Sequence, residues 1–234
     1  MSVRRAGLLF ASVLIIALIA AFPLRLALGA ISSSGALFTA RAAEGSIWNG
    51  RLRDVSIDGV SLGDFSAKLS PLKLLSGAAA IQLRALSGEP AAATLIATFA
   101  NYGADNATTR LVLPGAFDPL PVESISLEDA SVRFSKSGCV AAGGQVRVTL
   151  AGTLAGISLG QQLLGTPRCD GKILTLALVS QSAMELITLR IVPDGQYSVK
   201  LLIRASDADM AGKLNAAGFR ETSEGHFVEI SGRF

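Results

Sequence analysis

The feature that most constrains the fold is a period of two. Val55 and Ile57, then Phe65, Ala67 and Leu69, then Ala79, Ile81, Leu83 and Ala85 place apolar side chains at every second position. Successive side chains of a strand point to opposite faces, so these runs describe strands with one apolar face. The pattern returns in "ATLIATF" and at Val132 and Phe134. It recurs at Val146, Val148 and Leu150, in "DGKILTLALV", over Leu186 to Val192, and at Tyr197, Val199, Leu201 and Ile203. A last strand is expected near His226 to Ile230. Turn signals separate the runs: Asp58-Gly59, Gly143-Gly144, Asp170-Gly171 and the "PDG" at Pro193 to Gly195. One polar face per strand, short connections and no long helical crossovers favour antiparallel pairing. The predicted class is mainly β, with one or two curved antiparallel sheets. Periodicity does not choose between a closed sandwich and an open trough.

Two stretches break the alternation. In "SPLKLLSG", Ser70 to Gly77, Ser70 suits an N-cap, Pro71 the first helical position and Gly77 the C-terminal cap, which predicts one helical turn. Near the C-terminus, Ser206 or Asp207 caps a short helix with Met210, Leu214 and Ala217 as its buried stripe and Gly218 at its end. Glu128-Asp129 reads as a solvated turn.

The first thirty residues are written differently. Arg4 and Arg5 precede an apolar run that begins at Ala6, is interrupted by Pro23 and Arg25, and resumes to Leu28. As a helix, residues 6–28 would span about 34 Å, enough for a hydrocarbon core of about 30 Å. The early arginines keep the N-terminus cytoplasmic, so the body is exported. A retained anchor is the reading adopted. A cleaved signal peptide competes with it, since Ala27 and Gly29 suit a peptidase, but the run exceeds the usual length of such peptides.

Export gives the cysteines a meaning. Cys139 and Cys169 are the only two, and an oxidising compartment pairs them. Closing that loop contributes about 3 to 4 kcal/mol in the chain-entropy model. His226, the single histidine, is expected at a surface or edge position on its strand. Two cysteines without a neighbouring histidine make no metal site.

Other classes fall away on composition and motif. Half of the 234 residues are hydrophobic and 17% are charged, which excludes disorder. The net charge of +3 includes Arg4 and Arg5, so the body is close to neutral and no basic block marks a nucleic-acid binder. Neither a G-x-S-x-G elbow nor a phosphate-binding glycine fingerprint at a strand-to-helix junction occurs. The Asn106-Ala107-Thr108 sequon carries little weight. No enzyme and no cofactor are expected.

The order of motifs is more specific than any one of them. A short tail and one span lead into "GSIWNGRL", followed by "LG", "SPLKLLSG", "CDGKI", "DGQYSVKLLIRA" and "LNAAGFRETSEGHFVEISGRF". This order resembles the type II secretion system protein N family over nearly the whole chain. The segment from Trp48 through Gly77 is similar, more weakly, to the strand-turn units of AsmA-like envelope proteins.

The residues thus divide the chain into a cytoplasmic tail over 1–5, a transmembrane helix over 6–28, a linker or first strand over 29–44, and a periplasmic β-rich domain over 45–234, with a subdivision near 114–121 suggested by the Pro- and Gly-rich "LPGAFDPLP". The resemblance implies an inner-membrane subunit that assists export of folded proteins across the outer membrane. Its partners would be other components of that system and the lipids around its helix. The alternative is a lipid-binding or lipid-transfer module. Structural or partner-contact candidates are Trp48, Gly50, Pro71, Leu74, Leu75 and Gly77. Trp48 is expected at least half buried against the strands that begin at Val55 and Phe65; a direct partner contact is the other reading.

Overall fold

The computed structural model describes residues 10, 21–25, 38–57, 60–112, 122–150, 153–154, 156–159 and 162–233. The chain divides into two compact units, Met1–Gly88 and Glu89–Phe234. Apart from Phe10 and 21–25, the predicted span over 6–28 lies outside the described residues, as do the tail over 1–5, the Asp58-Gly59 turn and the possible boundary at 114–121. No helix among the described residues is long and apolar enough to cross a membrane.

The first unit is an antiparallel meander of β1 (Phe38–Ser46), β2 (Asn49–Ile57), β3 (Val60–Leu69) and β4 (Ala79–Ala85), with the helical turn α1 (Pro71–Leu75) between the last two. Its core side chains include Leu24, Leu52, Val55, Phe65 and Ala67. Leu52 and Val55 are three residues apart yet face the same way, because β2 carries a bulge between them. Asp54 takes φ +50° there, a conformation that Asp and Asn accept more readily than other side chains. Its amide donates to Asp64 Oδ1 at 2.9 Å.

The second unit contains β5 (Ala92–Ala97), β6 (Asn101–Val112), β7 (Val122–Ser135), β8 (Gly138–Leu150), β11 (Gln162–Gly165), β13 (Ile173–Ser180), β14 (Glu185–Ile191), β15 (Gln196–Ile203), β17 (Gly225–Arg233) and β16 (Arg220–Thr222), antiparallel in that order across the sheet. A short β12 (Pro167–Asp170) also pairs with β13, and β9 (Thr153–Leu154) with β10 (Ile157–Ser158) forms a separate hairpin. One face of the sheet is the core: Val146, Val148, Leu163, Leu176, Leu201 and Ile203 lie on it, with Ile157, Leu159 and Phe219 in the same cluster. The helix α2 (Ala208–Ala216) contributes Leu214, which is fully buried. Asp207 caps it by accepting from the Met210 amide at 2.8 Å.

Two predicted turns are bulges instead. Glu128-Asp129 lies inside β7, where Asp129 takes φ +48°, and Gly143-Gly144 lies inside β8 opposite it. Asn106 takes φ +51° in the neighbouring β6. The amides of these bulged residues are caught across the strands, Asn106 by Ser131 Oγ at 3.0 Å and Asp129 by Thr108 Oγ1 at 3.2 Å. A bulge keeps both strands paired while bending them, so Asx and Gly pairs that would reverse a chain here curve it.

Two further expectations are corrected. Ala217 is exposed, and the buried stripe of α2 continues instead into Phe219, whose amide bonds back to the Leu214 carbonyl at 3.0 Å. His226 is on a strand as predicted but is 4% exposed. It shares its face with Val228 and Ile230 and pairs with Ile203, so the strand's period of two turns it inward.

Candidate functional surfaces

The candidates from the sequence gather at one end of the first sheet. Ile47 and Trp48 form the two-residue turn between β1 and β2, where Ser46 faces Asn49. The Ile47 amide donates to the Phe22 carbonyl at 3.1 Å, and its carbonyl accepts from the Leu69 amide at 2.9 Å. The turn is therefore stitched to the end of the N-terminal apolar run on one side and to the last residue of β3 on the other. Pro23 also bridges to Ser46. Trp48 is partly buried at the tip of this turn.

Gly50 is buried where the run's end approaches. A Cβ there would collide with Leu24 Cδ2 and stand 3.0 Å from the Ser46 carbonyl oxygen. The close approach favours glycine, and the sequence signal was its place two residues after the tryptophan.

The helical turn α1 follows β3 at the same end. Ser70 Oγ accepts from the Lys73 amide at 3.5 Å, Pro71 occupies the first position, and Gly77 has φ +81° just past the cap. The predicted capping is present. Leu74 and Leu75 are 43% and 87% exposed, and Leu72, which the sequence did not single out, is 78% exposed. Five residues carry too little periodicity to tell an apolar turn that packs inward from one that stands out in water.

In the second unit, Cys139 at the start of β8 is bonded to Cys169 on β12, with Cα atoms 5.5 Å apart. The Cys139 amide donates to the Lys172 carbonyl at 2.9 Å, which ties the start of β8 to the turn after β12 beside the bridge.

The face of this sheet opposite the core carries a hollow of about 560 Å³ over β13, β14, β15 and β17. Thr188, Arg190, Ser198, Lys200, Glu229 and Ser231 line it, with Leu186 and Leu202 among them. Lys200 Nζ stands 4.4 Å from the Phe227 ring centroid, a cation–π arrangement, and faces Glu229 across the strand pair. Further along this face, Leu164 and Val179 pair across β11 and β13 and remain 43% and 40% exposed. Arg147 reaches Glu128 at 3.2 Å. Among the described residues no three His, Cys, Asp or Glu side chains are grouped to hold a metal ion.

These features define a class: antiparallel meanders with bulged strands, whose distinguishing chemistry lies in exposed turns and sheet faces. More particularly, the chain belongs to the type II secretion system (T2SS) protein N family, whose profile matches residues 36–228, most of its length. No curated protein and no solved structure matches the chain.

Proposed function

We propose that the chain is a non-enzymatic inner-membrane subunit of the type II secretion system. Residues 6–28 anchor it, and its β-rich body stands in the periplasm and assists assembly of the system or export of folded proteins. Family membership supports the role in secretion.

The observation that carries the scaffolding reading over an AsmA-like lipid module is the distribution of polarity in the second unit. Its apolar face is occupied by the core cluster, with α2, Ile157 and Leu159 packed into it. Its solvent-facing hollow presents Arg190, Lys200 and Glu229. An acyl chain laid there would strip water from charged groups without replacing their hydrogen bonds. A protein surface can answer them with charges of its own. The exposed Leu164 and Val179 pair supplies a small apolar centre beside that polar field, the composition of a non-obligate interface.

The test is photocross-linking in cells from a benzoylphenylalanine placed at position 164 or 179. The expected product is an adduct to another component of the secretion system. Adducts to lipid alone would sink the scaffolding reading.

A further inference from the structure

The helical turn α1 buries none of its five residues. Leu72 and Leu75 are 78% and 87% exposed and Leu74 43%. Scattered exposed leucines are ordinary, but three within four positions make a concentrated apolar tip. The tip is held firmly. Gly77 and Ala78 donate their amides to the carbonyls of Leu74 and Lys73, both at 3.0 Å, and Ser76 Oγ donates to the Lys73 carbonyl at 2.8 Å.

Its place in the fold says what covers it. Leu69, two residues before α1, is bonded to Ile47, and Ile47 is bonded to Phe22. Phe22 closes the uninterrupted apolar run from Ala6, and it is itself 41% exposed. The end of a membrane-length segment, the Trp48 turn and the leucine tip therefore occupy one end of the same sheet. Lys73 and Arg25 add cations there, and leucine, tryptophan and basic residues are the mixture that settles at a bilayer interface.

We propose that α1 is a membrane wedge, with Leu72, Leu74 and Leu75 entering the periplasmic leaflet of the bilayer that the apolar run ending at Phe22 crosses, and Lys73 at headgroup level. The wedge rests on the anchored reading above. It adds a second attachment, which fixes the orientation of the first sheet against the membrane where a single helix would leave it free to swivel.

The test uses the full chain with Trp48→Phe and Leu75→Trp, so that one indole reports from the tip. Position 75 is 87% exposed, and the new ring meets no packed neighbour. The protein is reconstituted in phosphatidylethanolamine–phosphatidylglycerol vesicles carrying nitroxide lipids labelled near the headgroup, and anchoring is read separately by carbonate extraction. The wedge predicts a loss of about half the emission to the shallow nitroxide and poor access for aqueous iodide. An unquenched, iodide-accessible reporter on a carbonate-resistant chain overturns the wedge and leaves the anchor standing. An unquenched reporter shielded from iodide also overturns it and assigns the leucines to a second copy of the chain. If carbonate extracts a chain whose reporter is unquenched, wedge and anchor both fall. A quenched reporter on an extractable chain upholds lipid contact by α1 and removes the anchor alone.

Discussion

His226 carries two ring nitrogens into the apolar face of the second unit, and neither has a hydrogen-bond partner among the described residues. A buried polar atom left unpaired costs roughly 1 to 3 kcal/mol, whereas an apolar group of similar shape costs nothing of the kind. His226→Phe should therefore leave the thermal midpoint unchanged or raise it, as read by circular dichroism. A fall of about 5 °C or more would mean that the imidazole makes a bond the packing does not reveal. The burial was legible in "GHFVEIS", because His226, Val228 and Ile230 alternate. Reading His226 as a surface residue followed its polarity, but the period prevailed. Trp48 follows its size: it is more than half buried, as expected, although it occupies the turn between β1 and β2 and not a strand.

At the scale of elements, capping chemistry is the most faithfully written. Ser70 and Asp207 both cap the helices that the sequence placed after them. The Met210 amide, and then the Ser206 hydroxyl, bond the ionised Asp207 carboxylate and hold its pKa below the ordinary 3.8. A carboxylate depressed in the folded state contributes stability that is complete above its unfolded pKa. That contribution is lost as pH falls through the lower, folded value. Asn caps about as well as Asp but does not titrate. The thermal midpoint of the parent should exceed that of Asp207→Asn at pH near 5, and the gap should close as pH is lowered past about 3.8. A gap that widens in acid would contradict the cap's charge. Bulges were the illegible elements. Asp54, Asn106 and Asp129 are residues that turns also favour, and whether such a residue reverses or merely bends the chain depends on the strand opposite. Ser131 and Thr108, which catch the amides in β6 and β7, lie about twenty or more residues away along the chain.

Across the whole molecule, the antiparallel β class and the pairing of the cysteines were both readable, the first from periodicity and the second from number and compartment. The division at Gly88 and Glu89 was not, since the short Gly and Pro signal of Ser87 to Pro90 is no different from that of an ordinary turn between strands. The Cys139–Cys169 bridge closes a separation of 30 residues. Its removal in a Cys139→Ser, Cys169→Ser variant should lower the unfolding free energy by about 3 to 4 kcal/mol in denaturant titration. A loss below about 1 kcal/mol would show that the flanking strand pairs already restrict the unfolded chain.

We propose that this β body works in protein export and does so while anchored. The most direct measurement is the location of a folded type II substrate in cells that lack the chain. The substrate should accumulate in the periplasm, and export should return with the full chain but not with the body released by a cleavable leader. Normal export without the chain would contradict the role in secretion. Full rescue by the released body would contradict the anchor.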